Sequence, residues 1–269
     1  MKNLIVLGIG SNSFEKLNTS SFAIELYNNN WLLTDCGPDI PRQINKAKIS
    51  FWKINTIILT HRHLDHCLGV PYLLFGRNLE ILTKTKSGEV IPDDNKNLNI
   101  VCEEGLFNKL IDFFSFCHPD VKLQYDIKFI NILEGTNNKI ILHNHELFFY
   151  PVDHTVPAFG YKLRDPMGKS IAYSTDTILS DIFIEGAKGV DILIHEAMVP
   201  TSEIDFSSKA KHSTASQAGE AIKLISPKKS LLMHLKPSYY EKRFELEKEA
   251  AGIANMQLEF PAEGSIFEI

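Results

Sequence analysis

No stretch of this 269-residue chain approaches eighteen consecutive apolar residues, so nothing in it predicts a membrane-spanning helix. The apolar run Leu4–Ile9, behind Met1-Lys2-Asn3, is too short for a signal-peptide core followed by a cleavage site. The expectation is a soluble, cytoplasmic protein with no membrane partner. Glycine (15) and proline (12) are not enriched, which excludes collagen-like and broadly disordered chains. A basic excess is also lacking: 28 Lys and Arg against 33 Asp and Glu give a formal net charge of -5. Without a global positive field, strong non-specific binding of RNA or DNA is not expected, although a local basic patch remains compatible with this balance. No Cys-x-x-Cys pair occurs, and Cys36, Cys67, Cys102 and Cys117 read as thiols of a reducing compartment rather than as disulfides. Neither a fixed-period repeat nor a linker-like stretch is visible, so a single domain over residues 1–269 is expected.

The apolar fraction of 44 % and charged fraction of 23 % suffice for a sizeable core. Strand-like runs recur at Leu4–Ile9, Phe22–Leu26, Trp31–Thr34, Thr56–Thr60, Leu98–Cys102, Lys139–Leu142, Leu147–Val152, Ser170–Ser174, Asp191–Ile194 and Ser230–Met233. Helical spacing occupies Glu104–Cys117 and Ser213–Ile225, and Tyr239–Ala254 reads as an exposed amphipathic helix. Polar Thr83–Asn97 reads as a surface loop. Strands alternating with such helices predict an α/β architecture.

One segment stands apart. The apolar strand Ile57-Ile58-Leu59-Thr60 runs into His61-Arg62-His63-Leu64-Asp65-His66, and a helix-like segment begins at Cys67. Imidazole and carboxylate are the ordinary nitrogen and oxygen ligands of Zn²⁺, and Mn²⁺ or Fe²⁺ fit them too. On a tight loop, His61 and His63 can face one cation while Asp65 and His66 face a second. Two cations roughly 3.5–4 Å apart hold a bridging water, lower its pKa and clamp both oxygens of a displacement. The bland alternative is a surface loop that happens to be rich in histidine; three histidines and an aspartate within six residues after a strand argue against it. Cys67 reads either as a further ligand or as a small apolar filler.

One loop cannot fill two metal sites. Candidates for the remainder share a signature, a β-rich run ending in His or Asp: Val152-Asp153-His154, Ser174-Thr175-Asp176 and Leu232-Met233-His234. Each alone could be a turn histidine or an Asx-turn aspartate. His118, His143 and His145 match no such pattern and read as surface or turn residues.

The His-x-His-x-Asp-His run resembles the signature of the metallo-β-lactamase superfamily, and more closely its ribonuclease Z (tRNA 3′-end processing) branch. Leu7-Gly8-Ile9-Gly10 with Asn18-Thr19-Ser20-Ser21 is similar to that branch's opening, and Asp35-Cys36-Gly37 to its strand-end motif. His154-Thr155-Val156-Pro157, Ser174-Thr175-Asp176-Thr177, His195-Glu196-Ala197, His212-Ser213-Thr214 and Met233-His234 resemble its later motifs. Ala262-Glu263-Gly264 resembles its final turn, where that family often has Asp.

The resemblance implies a four-layer αβ/βα sandwich of the metallo-β-lactamase type. It assigns His61, His63 and His154 to one Zn²⁺, and Asp65, His66 and His234 to another, with Asp176 shared between them. Asp65 would also orient or deprotonate the bridging water, which as hydroxide attacks a phosphodiester. Asp35 would bond a ligand histidine. His212, held by Glu196, would donate a proton to the leaving oxygen. A homodimer fits the same branch. One departure counts against tRNA as substrate: only residues 155–175 separate His154 from Asp176, with Lys162, Arg164 and Lys169, enough for a hairpin but not for the long tRNA-gripping arm.

The expected function is that of a dinuclear metal-dependent phosphodiesterase, acting on RNA such as a tRNA precursor's 3′ end or on a small cyclic or aryl phosphodiester. A lactonase or thioester hydrolase on the same scaffold is the alternative and would need no acid at His212. A non-catalytic binding protein is disfavoured by the complete ligand set. A flavo-diiron protein is disfavoured by histidine where that class has Glu, and by the lack of a flavin domain.

Overall fold

The computed structural model describes residues 1–12, 16–132 and 138–269. From the N-terminus run strands β1 (Asn3–Gly8), β2 (Ser21–Glu25) and β3 (Trp31–Thr34), helix α1 (Ile40–Lys46), β4 (Ile54–Ile58), α2 (Leu64–Cys67), α3 (Val70–Lys86), β5 (Asn97–Cys102), α4 (Glu104–Cys117) and β6 (Asp126–Asn131). Then follow β7 (Asn138–Leu142), β8 (His145–Val152), β9 (Ala158–Arg164), β10 (Ser170–Tyr173), α5 (Asp181–Ala187), β11 (Ile192–Glu196), α6 (Ile204–Ala210) and α7 (Ala215–Ile225). The chain closes with β12 (Lys229–Met233), α8 (Arg243–Ala254), β13 (Leu258–Glu259) and β14 (Ile266–Glu268). It divides into one unit of Met1–Gly8, Thr19–Ile132 and Gly264–Glu268, and a second of Ile9–Asn18 with Leu133–Glu263. Each is α/β, as the sequence predicts.

The first unit holds a seven-stranded sheet in the order β14-β1-β2-β3-β4-β5-β6. Strands β3, β4, β5 and β6 are parallel. Every residue of β4 is buried, as suits a central parallel strand covered on both faces. Its core gathers Leu33, Ile57, Val70, Leu73, Leu74 and Ile100 beneath the helices. A buried charge fastens this unit. Arg77 of α3 donates to the carbonyls of Phe51, Trp52 and Ile54 at 3.0, 2.7 and 2.7 Å, and to those of Asn95 and Asn97 at 2.7 and 3.2 Å. Its guanidinium lies 4.7 Å from the Tyr125 ring centre, and burial lowers its pKa to about 10. That many charge-assisted bonds offset much of the desolvation of the cation.

The second unit repeats the plan with a seven-stranded sheet, β13-β12-β11-β10-β9-β8-β7. Here β7 to β10 form an antiparallel meander, and β10, β11, β12 and β13 are parallel. The β9–β10 pair is the hairpin expected between His154 and Asp176.

Some sequence expectations need correction. The loop expected at Thr83–Asn97 is shorter, because α3 continues to Lys86 and Asn95 is buried. The helix expected to open near Ser213 starts at Ala215, with Thr214 capping it through a reciprocal box with Gln217. The helix expected from Tyr239 starts at Arg243, after a 3₁₀ turn over Pro237–Lys242. Strands β6, β9, β13 and β14 and helices α1, α2, α5 and α6 carry no mark in the sequence patterns. His143 occupies a turn, with φ 51°. His118 stacks on Phe75 and His145 is buried, so neither is a free surface histidine.

Candidate metal centre

In the first unit, the loop carrying His61 follows directly on β4, and α2 begins at Leu64 with His63 extended before it. Asp35 follows directly on the neighbouring parallel strand β3, at φ 56°. Both groups therefore stand at the carboxyl edge of parallel strands, where α/β sheets place their sites.

Asp35 organises this edge. Its carboxylate accepts from the Thr60 amide at 2.9 Å and from the Thr60 hydroxyl at 3.0 Å, and lies 2.8 Å from His66 Nδ1. Burial raises the Asp35 pKa, and the contacts with His66 and Thr60 oppose that rise. As carboxylate, Asp35 accepts the Nδ1 proton and leaves the lone pair of His66 on Nε2, which lies 3.4 Å from Asp65 Oδ2. Thr60 extends the same logic. Its hydroxyl proton is given to Asp35, so its oxygen accepts from His61 Nδ1 at 3.1 Å. The lone pair of His61 then sits on Nε2, 3.1 Å from His63 Nδ1.

Two glycines let this loop seat. A β-carbon on Gly37 would overlap the Thr19 hydroxyl and the Asp65 carbonyl, and one on Gly69 would overlap the Gly37 carbonyl. Backbone bonds from the Cys36 amide to His66 O (2.7 Å) and from the Gly69 amide to Cys36 O (2.8 Å) stitch the turn to α2. Cys67 is buried, donates to Arg62 O at 3.6 Å, and has its thiol pushed up to about 11 by burial. That is the setting of a packing residue.

In the second unit the parallel strands β10, β11 and β12 run into Asp176, Glu196 and His234 respectively. His234 Nδ1 lies 3.1 Å from Asp176 Oδ1, and His154 Nε2 lies 3.9 Å from Asp176 Oδ2. His154 is oriented by its other nitrogen, 3.0 Å from the Lys211 carbonyl. Ligand atoms of Asp176, Glu196 and His212 lie within 4.8 Å of one another.

Glu196 is fully buried. Its carboxylate accepts from the Thr177 amide, and its own amide donates to Ser174 Oγ at 3.0 Å. His212 Nδ1 stands 3.3 and 3.2 Å from its two oxygens. Burial lifts the Glu196 pKa to about 7, against the pull of His212. The His212 ring stacks on that of His234, with centres 5.0 Å apart and planes inclined by 15°. Ser213 donates to Thr177 O at 2.7 Å, tying the His212 segment to the Asp176 segment. His195 is buried, and burial lowers its pKa to about 4; its Nδ1 lies 2.7 Å from Glu196 O. Glu263 accepts from the Asn18 amide at 2.7 Å, so the chain's opening and closing motifs meet within this unit.

The donor sets fit divalent metal. Two ligand atoms on a tetrahedral ion at about 2.0–2.1 Å stand roughly 3.3 Å apart. The 3.1 Å separations of His61 Nε2 from His63 Nδ1 and of His234 Nδ1 from Asp176 Oδ1 match that spacing. The first unit thus gathers His61, His63, Asp65 and His66, and the second gathers His154, Asp176, Glu196, His212 and His234. The sequence reading missed Thr60, whose hydroxyl works only because Asp35 arrives from another strand.

Residues 30–235 match a family described as the beta-lactamase superfamily domain. A ribonuclease Z of Ignicoccus hospitalis is 27 % identical over 262 residues, covering 80 % of this chain and 81 % of that protein. Among solved structures, the metallo-beta-lactamase fold protein YhfI of Bacillus subtilis superposes with a TM-score of 0.82 at 19 % identity, over 99 % of both chains. The short form of human tRNase Z superposes with a TM-score of 0.78 at 19 % identity, over 98 % of both chains. No helix among the described residues is long and apolar enough to cross a membrane.

Proposed function

This chain belongs to the beta-lactamase superfamily, and from that premise we propose that it is a metal-dependent phosphodiesterase of the ribonuclease Z kind. In this reading residues 1–269 act as one hydrolase domain. His61, His63 and His154 hold one cation, and Asp65, His66 and His234 hold the other, with Asp176 shared between them. Zinc suits the ligands, and Mn²⁺ or Fe²⁺ would also fit. Bound there, the cations would acidify a water molecule and neutralise charge on a phosphate.

The observation that carries the reading is the Glu196–His212 pair beside Asp176. An alkyl phosphodiester expels an alkoxide, which needs a proton; a thioester on the same scaffold expels a thiolate, which has less need of one. Glu196 fixes the ring through Nδ1 and favours its protonated form, so that Nε2–H is offered to the leaving oxygen. Asp65 would orient the attacking water and take its proton. Asp35 and Thr60 set the tautomers of His66 and His61 and so present the ligand nitrogens.

The substrate in this reading is an RNA end or a small cyclic or aryl phosphodiester. The compact β9–β10 hairpin supports substrates that need no long gripping arm. The test is a panel of a tRNA precursor, cyclic nucleotides, bis-p-nitrophenyl phosphate and a lactone, with metal-loaded protein. Turnover of the diesters is expected; turnover of the lactone alone would reverse the assignment.

A further inference from the structure

A cavity of about 480 Å³ opens on the first unit between Arg62 and α2 on one side and α4 on the other. Its walls include Arg62, Leu64, Leu68, Lys109, Leu110 and Phe113. The volume lies within the range of small-molecule sites. Part of its apolar lining is left in solvent: Leu64 is 65 % exposed, Leu68 40 % and Phe113 49 %, while Leu106 and Leu110 at its floor are buried.

The position is what gives the cavity meaning. Arg62 stands between His61 and His63, and Leu64 between His63 and Asp65, so the loop that offers ligand atoms also builds the wall. Charge is biased toward an anion. Arg62 and Lys109 carry the positive charge, while the one carboxylate in the lining, Glu103, is occupied in accepting from the Gly105 amide at 3.1 Å to cap α4. Apolar walls, one half-exposed aromatic ring and two cations together match a flat ring attached to a phosphate.

We propose that this cavity receives the aromatic group, nucleobase or aryl ring, bonded to the scissile phosphodiester, with Phe113 stacking on it and Arg62 and Lys109 attracting its phosphate. The proposal rests on the phosphodiesterase reading and adds to it a specificity element. Stacking on one side chain is tolerant of base identity, so the cavity selects for an aromatic substituent without selecting a sequence.

The experiment is calorimetric binding of four probes to the zinc-loaded full chain: uridine monophosphate against ribose 5-phosphate, and phenyl phosphate against methyl phosphate. The first pair isolates a nucleobase and the second an aryl ring. The ring-bearing member of at least one pair is expected to bind roughly tenfold tighter, the scale of one stacking contact. Phe113→Ala should remove that preference and leave the ringless probe unchanged. Phe113→Trp should restore it, which separates stacking from a general disturbance of α4. Lys109→Ala should weaken both members of a pair alike. Equal binding within both pairs, or a preference that survives Phe113→Ala, overturns the proposal. Turnover of bis-p-nitrophenyl phosphate, measured separately, tests the catalytic reading. If turnover is absent but the Phe113-dependent preference persists, the cavity stands and the catalytic reading falls.

Discussion

Asp35 Oδ2 lies 2.8 Å from His66 Nδ1, joining a residue that follows β3 to one in the short helix α2 after β4. The same carboxylate reaches His61 through the Thr60 hydroxyl. One buried acid thus fixes the tautomer of two proposed ligands in a single contiguous segment.

Removing that acid should loosen the ions. Asp35→Ala is expected to lower zinc affinity roughly 10–100-fold, the usual cost of losing a residue that orients a ligand histidine. Competition against a chromogenic chelator measures this. Affinity equal to wild type would show that Asp35 serves packing alone.

His212 should matter in proportion to how badly the leaving group needs a proton. His212→Ala is expected to cut kcat on an RNA or alkyl diester by about 10²–10⁴ with metal retained. The loss on bis-p-nitrophenyl phosphate should be smaller, because a nitrophenolate leaves with little help. Equal losses on both, or loss of metal, would contradict the proton-donor role. Glu196→Gln should follow the same pattern more mildly.

The two loop glycines should resist the smallest substitution. Gly37→Ala and Gly69→Ala each force a methyl into backbone or hydroxyl atoms. Each should cost about 1–3 kcal/mol, the range for overpacking, and should lower metal content. Urea melts and metal analysis would reveal it; wild-type values in both would mean the loop has slack.

Acid should destabilise the fold through His195. Burial holds its pKa at about 4, against 6.5 for a solvated imidazole. The unfolded chain therefore binds the extra proton between these values. The contribution is fully present above pH 6.5 and is lost as pH falls toward 4, reaching about 3 kcal/mol. His195→Asn, which keeps a donor for the Glu196 carbonyl, should flatten that part of the profile. Identical slopes for both proteins between pH 6.5 and 4 would refute this.

Much of the site was legible because its chemistry is contiguous. His61 to His66 form one contiguous segment, and His154, Asp176 and His234 each end a β-rich run, so pattern marks them as candidates, whereas Glu196 and His212 are marked only by the family resemblance. Contacts between remote segments were not legible. Thr60 looks like the last residue of a strand until Asp35 meets it. Lys211 contributes only a backbone carbonyl to His154, which no side-chain pattern can announce. In the fold, β6 is a half-exposed edge strand in which charged and polar residues interrupt the apolar positions. α1 carries Pro41 in its first turn, which suits a helix start but reads as a loop. The polar end of α3 looked like loop because its last turn is exposed, although the helix continues through it.

Metal stoichiometry of the purified full chain tests the central claim most directly. Mass-spectrometric metal analysis should find two divalent cations per wild-type chain, with most of that content lost in Asp176→Ala, which removes the carboxylate proposed to serve both. A wild-type chain holding no stoichiometric metal, or a content indifferent to Asp176→Ala, would contradict the account.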